Sequence, residues 1–159
     1  MNKACIKSAA EKILLKNIKL SSSSLVVAQD FEELDPSSWE QQDMFGIEAE
    51  YAQDSLENET GESAHSLTVK VTNGSRYAIA IDETNSEFRE VAKIEAEYTI
   101  EYIATAELSE EEIAEFSRFN ARHNCWTFWR QFVYSTCQQA QIPIFEIPLL
   151  ALNTKDKES

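Results

Sequence analysis

The period at which apolar residues recur changes once along the chain, near residue 107, and this change constrains the fold more than any other feature. Before it, residues 89–106 alternate between apolar and mostly acidic side chains, as a strand with one buried face does. After it, Ser109 and Glu112 have the spacing of a capping box, and the apolar residues follow helical spacing. Strands followed by helices predict an α+β domain whose antiparallel sheet carries the helices on one side.

Further strands are predicted upstream. Residues 14–28 are apolar and β-branched around four serines, 21–24, which suit a bend or bulge. Residues 45–51 place Phe45 on the apolar face and Glu48 and Glu50 on the other. Residues 67–81 alternate too, but Asn73 and Gly74 interrupt them, either as a hairpin turn or as a glycine bulge in one long strand. Residues 3–13 predict a short helix and residues 56–66 a polar loop.

The boundaries that follow define one domain over residues 1–159. Antiparallel strands occupy 14–107, and two helices occupy 109–141, the first ending near Ala121 and the second beginning near Asn124. Pro143 stops the second helix, so that 142–150 forms an extended apolar segment. Residues 151–159 are polar and predict a flexible tail.

Charge and composition exclude several classes of function. The net charge of −14 argues against binding to nucleic acid or to anionic lipid, because phosphate binding needs an excess of cations. Three glycines spaced far apart cannot build a phosphate-binding loop, so no nucleotide cofactor is expected. Three cysteines without a CxxC motif predict neither disulfides nor a metal site. Without a signal-like or membrane-spanning stretch, a soluble cytoplasmic protein is expected.

Two groups of reactive or charged residues each allow two interpretations. His123 and Cys125 lie near a helix start and could form a nucleophilic pair, or they are a surface histidine beside a half-buried thiol. The carboxylates that alternate along the strands form either a solvated face or a docking surface for a basic partner. The residues of this acidic face are Glu48, Glu50, Glu95, Glu97 and Glu101.

Apolar residues are in excess at two places. The connection 29–43 holds Phe31, Leu34 and Trp39, which either pack down as a lid on the core or line a binding surface. In the helix predicted from about Asn124, apolar residues cover well over half of the surface, and only Arg130 is charged. This width exceeds what packing on a monomer's sheet requires.

In the C-terminal third, the run 126–133, rich in Trp and Phe around Arg130, is followed by the proline-punctuated apolar segment 142–150. This pattern resembles that of the SecB-like chaperones. Residues 16–20 and 116–120 and the order of elements agree with that family, over about residues 14–150. The resemblance implies a SecB-like four-stranded antiparallel sheet with two C-terminal helices, assembled as a dimer of dimers. It also implies a nucleotide-independent holdase that keeps unfolded polypeptides in apolar grooves.

The resemblance places client binding along the crossover 29–43 and the long helix. The client-binding residues it implies are Phe31, Leu34, Trp39, Phe45, Trp126, Trp129, Phe132, Val133, Ile144 and Phe145. Thr127 and Gln131 depart from the family pattern, and the tail does not resemble the segment that binds the Sec export motor. A chaperone dedicated to an antitoxin, in a toxin–antitoxin–chaperone system with a phage-defence role, is therefore expected at least as much as an export chaperone. A small-ligand carrier and a Cys125-dependent enzyme are the alternatives.

Overall fold

The computed structural model of the chain describes residues 1–57, 63–82 and 87–150. A four-stranded antiparallel sheet carries a C-terminal helical layer on one face, and a short N-terminal helix packs against the first helix of that layer, so the expected fold class is confirmed. The elements are α1 (Lys3–Lys12), β1 (Ile13–Val27), β2 (Glu40–Glu57), β3 (Ser63–Asp82), β4 (Glu87–Ala104), α2 (Glu110–Phe116) and α3 (Arg122–Ala140). Two single 3₁₀ turns, Phe31–Glu33 and Pro36–Ser38, lie in the crossover between β1 and β2. The predicted tail, 151–159, lies outside the described residues.

The strand order is β1-β4-β3-β2, so that the first two strands of the chain form the two edges of the sheet. The pairing of β1 with β4 shifts register between Leu20 and Ser22, which confirms the bulge expected at the serines. The hydroxyl of the bulged residue, Ser21, forms a short hydrogen bond with that of Thr99 on β4. The predicted polar loop at 56–66 is wrong at both ends, because Leu56 pairs with Ala64 and Glu57 with Ser63; residues 58–62 lie outside the described part.

Asn73 and Gly74 form neither a hairpin turn nor a bulge. They lie inside the single strand β3, where Asn73 pairs with Phe45 and Ala96 and Gly74 with Met44 and Glu95 without a shift of register. Pairing on both sides outweighs the local turn preference of this dipeptide. Glycine relieves a close approach there, since a Cβ at Gly74 would lie 2.7 Å from Met44 Cγ and would force that side chain to move.

The two faces of the sheet differ as the alternation predicts. On β4, Ile94, Ala96, Ile100 and Tyr102 are all buried, and they form the core together with the helical layer. We call this side the inner face. The carboxylates that alternate with them point to the opposite, outer face and remain partly exposed.

The helical layer begins with the expected capping box. Ser109 Oγ accepts a hydrogen bond from the Glu112 N–H, and the Glu112 carboxylate accepts one from the Ser109 N–H. The break predicted between Ala121 and Asn124 is absent: a π-helical turn, Ser117–Ala121, joins α2 directly to α3. Gln141, with φ of 56°, ends α3 in the left-handed conformation just before Pro143.

Candidate functional site

Helix α3 organises the inner face of the molecule. One stripe of its residues is fully or almost fully buried against β3 and β4, and we call it the sealed stripe: Cys125, Trp126, Trp129, Val133 and Cys137. The helix also carries large apolar residues outside this stripe, and Phe128 is 49% and Tyr134 55% exposed. The excess of apolar surface expected from the sequence is therefore present, and only part of it is covered within the chain.

The C-terminal segment, residues 142–150, covers the sealed stripe on the side facing β2. Side chains hold its main chain: Trp126 Nε1 donates to the Pro148 carbonyl at 2.7 Å, and Arg130 Nε donates to the Ile147 carbonyl at 3.1 Å. Gln41 on β2 makes two hydrogen bonds of 2.9 Å to the peptide groups of Glu146, one as donor and one as acceptor. The segment is thus bound in extended form, through its peptide groups and its apolar side chains.

An aromatic stack connects the crossover, the sheet and the C-terminal segment. The ring centroids of Phe31 and Trp39 are 6.0 Å apart, those of Trp39 and Tyr77 5.2 Å, and those of Tyr77 and Phe145 4.1 Å. Three residues predicted to bind clients therefore meet through Tyr77, which the prediction did not include. Burial raises the pKa of Tyr77 to about 12, and its hydroxyl donates to the Pro143 carbonyl at 3.1 Å.

Two openings lie beside the sealed stripe, on the side facing β2. The first, which we call the Arg122 cavity, has a volume of about 230 Å³. Its walls are Asp43, Met44, Phe45, Asn73, Gly74, Ser75, Arg122, Trp126, Trp129, Ile147, Pro148 and Leu150. The second, the segment furrow, has about 400 Å³ between α3 and the C-terminal segment and includes Val133, Ile144 and Phe145.

A third opening lies on the other side of α3, and we call it the β1 groove. It has about 400 Å³ and is lined by Ile18, Leu20, Tyr98, Phe128, Gln131, Phe132, Ser135, Thr136 and Gln139. Phe132 is the one predicted residue that lines it. The positions of Phe128, Phe132 and Ser135 are three or four residues apart, a helical spacing by which the sequence marks this surface.

The predicted client-binding residues therefore differ in exposure. Phe45 is 38% and Ile144 42% exposed, and both lie at openings on the side facing β2. Trp126, Trp129, Val133 and Phe145 are buried within the chain. Phe31, Trp39 and Phe132 are half-buried, as is Leu34, which lines none of the three openings.

The acidic residues are on one face of the sheet. Glu48 and Glu50 on β2 and Glu95, Glu97 and Glu101 on β4 all alternate with inner-face residues and point outward. Lys70 on β3 pairs in register with Glu48 across the outer face, while Lys93 lies 3.0 Å from Glu95 and Lys19 4.0 Å from Glu101. These lysines neutralise only part of the acidic face.

The environment of Cys125 does not favour nucleophilic chemistry. The thiol is fully buried and donates to the Arg122 carbonyl at 3.4 Å, whereas His123 is exposed. Burial raises the pKa of Cys125 to about 11, the opposite of what an activated thiolate requires. Within the described ranges, no three His, Cys, Asp or Glu side chains come together as a metal site.

Comparison with known proteins gives a likeness at the level of structure. No protein-family model and no curated protein sequence matches the chain. The SecB-like chaperone Rv1957 of Mycobacterium tuberculosis, solved with a ChAD peptide from the HigA1 antitoxin Rv1956, superposes with a TM-score of 0.66 at 16% identity. The match covers 94% of this chain and 98% of Rv1957.

A protein of unknown function from Streptococcus agalactiae matches 85% of this chain and 97% of its own length, at 9% identity and a TM-score of 0.47. The first likeness, together with the four-stranded antiparallel sheet and the two C-terminal helices, shows that the chain has the SecB-like fold. None of the helices in the described part of the chain is long and apolar enough to cross a membrane.

Proposed function

We propose that this protein is a molecular chaperone of the SecB-like type, which holds unfolded or aggregation-prone polypeptides without using nucleotide. The observation that carries the proposal is the surface facing β2, where an extended apolar segment of the chain already lies beside partly open cavities. Residues 142–150 are held there through main-chain hydrogen bonds from Gln41, Trp126 and Arg130. Contacts to peptide groups do not depend on sequence, as a chaperone with many clients requires.

The exposed apolar residues at these openings provide the driving force. Phe45 and Ile144 border them, and Leu149 is 75% exposed on the C-terminal segment itself. Burial contributes roughly 25 cal/mol per Å², so a few hundred Å² of groove would offset part of the cost of ordering a client. The crossover residues Phe31, Leu34 and Trp39 would extend the groove along the aromatic stack.

The opposite side of the molecule supports self-association. Strand β1 is a long edge strand on which Leu14, Leu15, Leu20 and Val26 are between 48% and 61% exposed. An uncovered edge of this kind pairs readily with another strand, and a second copy can do so through a twofold-symmetric interface. The β1 groove, with Phe128, continues this surface, which favours a homotetramer built as a dimer of dimers.

The fold and the charge favour particular partners. Rv1957 was solved with an antitoxin peptide, and we propose a dedicated antitoxin as the client here, in a toxin–antitoxin–chaperone system that acts in the cytoplasm, with a phage-defence role. A net charge of −14 keeps an apolar groove soluble and attracts basic clients. The acidic face would then dock a basic partner. Export through the Sec motor is the less supported role.

The alternatives have weaker support. A Cys125-dependent enzyme conflicts with the buried, high-pKa thiol. A carrier of small ligands would use an enclosed cavity, whereas the three openings described above lie along the margins of α3 at the surface. Neither alternative accounts for the extended segment bound by side chains.

Capture of an unfolded reporter protein, measured as suppression of its aggregation in the absence of nucleotide, tests the proposal. Phe45→Ala is expected to weaken capture about tenfold, which corresponds to about 1.4 kcal/mol. Ile81→Ala is the matched control, because Ile81 is 65% exposed and lines none of the three openings. Equal capture by the two variants would remove the surface facing β2 from the proposal.

Light scattering of the purified protein tests the assembly. Four chains of 18.1 kDa are expected for the native protein, and smaller assemblies for Phe128→Glu, which places a charge in the β1 groove. A native protein that remains a monomer at high concentration would contradict the tetramer. Client capture by that monomer would leave the holdase proposal standing.

A further inference from the structure

Arg122 is a cation on the wall of the Arg122 cavity, and no described residue gives it a carboxylate or carbonyl partner. Its guanidinium makes no hydrogen bond and no ion pair with any residue that the structure describes, although it is only partly exposed. Aromatic rings hold it instead: its Cζ lies 4.0 Å from the centroid of Phe45 and 5.1 Å from that of Trp126. Its N–H donors, in a planar fork, are therefore not used by any described residue, and Nε is buried.

A second donor lies on the same wall. Asn73 is 2% exposed, and its buried Nδ2 has the weakly accepting Cys125 sulfur nearby but no oxygen acceptor among the residues that the structure describes. Since Asn73 pairs with Phe45 across β2 and β3, its side chain is on the inner face, beside the ring that holds Arg122. Buried donors without an oxygen acceptor are rare in folded proteins, and Arg122 Nε and Asn73 Nδ2 on one cavity wall indicate a place for such an acceptor.

The local electrostatics favour a negatively charged acceptor. Burial lowers the pKa of Arg122, and the nearby charge of Arg118 lowers it further, so a positive charge is held here without compensation. Among the described residues, Asp43 is the one carboxylate that lines the cavity. It is exposed and already accepts hydrogen bonds from Ser75 Oγ at 2.7 Å and Gln41 Nε2 at 3.0 Å. It is not ion-paired with Arg122.

We propose that the Arg122 cavity binds a carboxylate of the captured polypeptide, with Arg122 as the fork that receives it and Asn73 as a further donor. The carboxylate comes from an acidic side chain or from the end of the client chain. The apolar walls formed by Phe45, Trp126 and Trp129 exclude water from the ion pair and strengthen it. This inference rests on the proposed chaperone function and adds to it a defined polar anchor.

The negative charge of Asp43 provides a control, because its removal should affect an anionic and a cationic ligand in opposite directions. A carboxylate bound at Arg122 would be repelled by Asp43, so Asp43→Asn should strengthen binding while the amide oxygen still accepts from Ser75. A ligand that brings an ammonium or guanidinium group would instead lose its partner in Asp43→Asn. The direction of this change therefore distinguishes an anion site from a cation site.

Fluorescence anisotropy with three versions of one short apolar, basic peptide tests the inference on the full-length protein. The first version carries one Glu and a C-terminal amide, the second Gln with the amide, and the third Gln with a free carboxylate. The Glu peptide should bind about tenfold more tightly than the Gln amide if a side chain occupies the cavity. If a chain end occupies the cavity instead, the Gln peptide with a free C-terminal carboxylate should bind about tenfold more tightly than the Gln amide.

Variants of two arginines test whether the tighter binding of the charged peptides comes from the Arg122 cavity. Arg122→Gln should reduce the difference between charged and uncharged peptides to about twofold or less, whereas Arg118→Gln, outside the cavity lining, should largely preserve it. Arg122→Lys retains the charge and should keep part of the gain, which controls for misfolding of the Gln variant.

Tight binding of all three peptides with equal affinity would overturn the carboxylate site while supporting the chaperone. Binding of none of them would contradict the proposed function itself. Weaker binding of the Glu peptide to Asp43→Asn would also overturn the inference, because it would indicate a cation site.

Discussion

Helix α3 carries large aromatic residues on two of its sides, and the molecule treats the two sides differently. The sealed stripe, from Cys125 to Cys137, is buried beneath the C-terminal segment and against the sheet. The stripe facing β1, with Phe128 and Phe132, lies along an open groove. The first is covered by the chain itself, and in our proposal the second is covered by another copy. The presence of large apolar residues therefore does not by itself distinguish a core from a binding surface. What distinguishes them is whether another segment of the chain packs over those residues.

The largest expected effect tests whether the sealed stripe is structural. Trp129 is 1% exposed, and Trp129→Ala should lower the free energy of unfolding by about 3–5 kcal/mol, because the cavity left behind cannot collapse completely. Tyr134→Ala on the same helix, where Tyr134 is 55% exposed, should cost about 0.5 kcal/mol or less. Urea denaturation of both variants measures the difference. An equal loss for Tyr134→Ala would show that a partner covers that position.

The sequence predicts helices, strands and bulges well where their signals depend on neighbouring residues. The capping residues Ser109 and Glu112, the alternation through Ile94 and Tyr98, and the bulge at Ser21 each depend on neighbouring residues, and all are confirmed. Asn73 and Gly74 carry an equally local turn signal that is misleading, because β2 and β4 pair with them on both sides. Long-range pairing of this kind leaves no local trace.

The candidate site is less accessible to sequence reasoning for the same reason. The sequence identifies Trp126, Trp129 and Val133 as apolar but cannot show that residues 142–150 fold back to seal them. The break predicted between Ala121 and Asn124 is wrong, because the π-helical turn Ser117–Ala121 carries α2 into α3 without proline or glycine. Arg122 owes its nearer ring contact to Phe45, which lies far away in the chain.

The contact between α1 and α2 provides a control for general destabilisation, because it stabilises the fold but lies outside both sides of α3 compared above. Glu112 accepts hydrogen bonds from Ser8 Oγ at 2.6 Å, from the Ser109 N–H at 3.0 Å and from Lys12 Nζ at 3.0 Å, and these donors lower its pKa from 4.5 to about 2. Glu112→Gln should lower the free energy of unfolding by about 1–3 kcal/mol, since it weakens hydrogen bonds to a charged acceptor.

The pH dependence follows from the direction of this pKa shift. Because the folded-state pKa lies below the ordinary value, the Glu112 carboxylate stabilises the fold above pH 4.5, and the contribution is lost as the pH falls toward 2. Urea denaturation across this range should show a smaller loss of stability in Glu112→Gln than in the native protein. Client capture at neutral pH should be unchanged, and a loss there would mean that general destabilisation also explains the effects of groove variants.

The smallest expected effect concerns how firmly the cover of the sealed stripe is held. Trp126→Phe keeps most of the apolar volume but removes the hydrogen bond to the Pro148 carbonyl, which should cost about 0.5–1.5 kcal/mol. The loss should be local, because the side-chain hydrogen bonds to residues 142–150 from Gln41, Tyr77 and Arg130 remain, as does the one from the Ile142 N–H to the Cys137 carbonyl. The segment would open more often while the sheet and α3 stay folded.

Two buried thiols measure this opening separately. Cys137 lies beside the Phe145 N–H, so its thiol becomes accessible when the segment lifts, whereas Cys125 packs in the core near Asn73. In Trp126→Phe, a thiol reagent should therefore label Cys137 severalfold faster and Cys125 at an almost unchanged rate. Equal acceleration at both positions would mean that the whole helix loosens, and the sealed stripe would then be part of a mobile client surface. Selective acceleration at Cys137 would instead identify the C-terminal segment as the movable cover, and the stripe beneath it as the fixed floor of the groove.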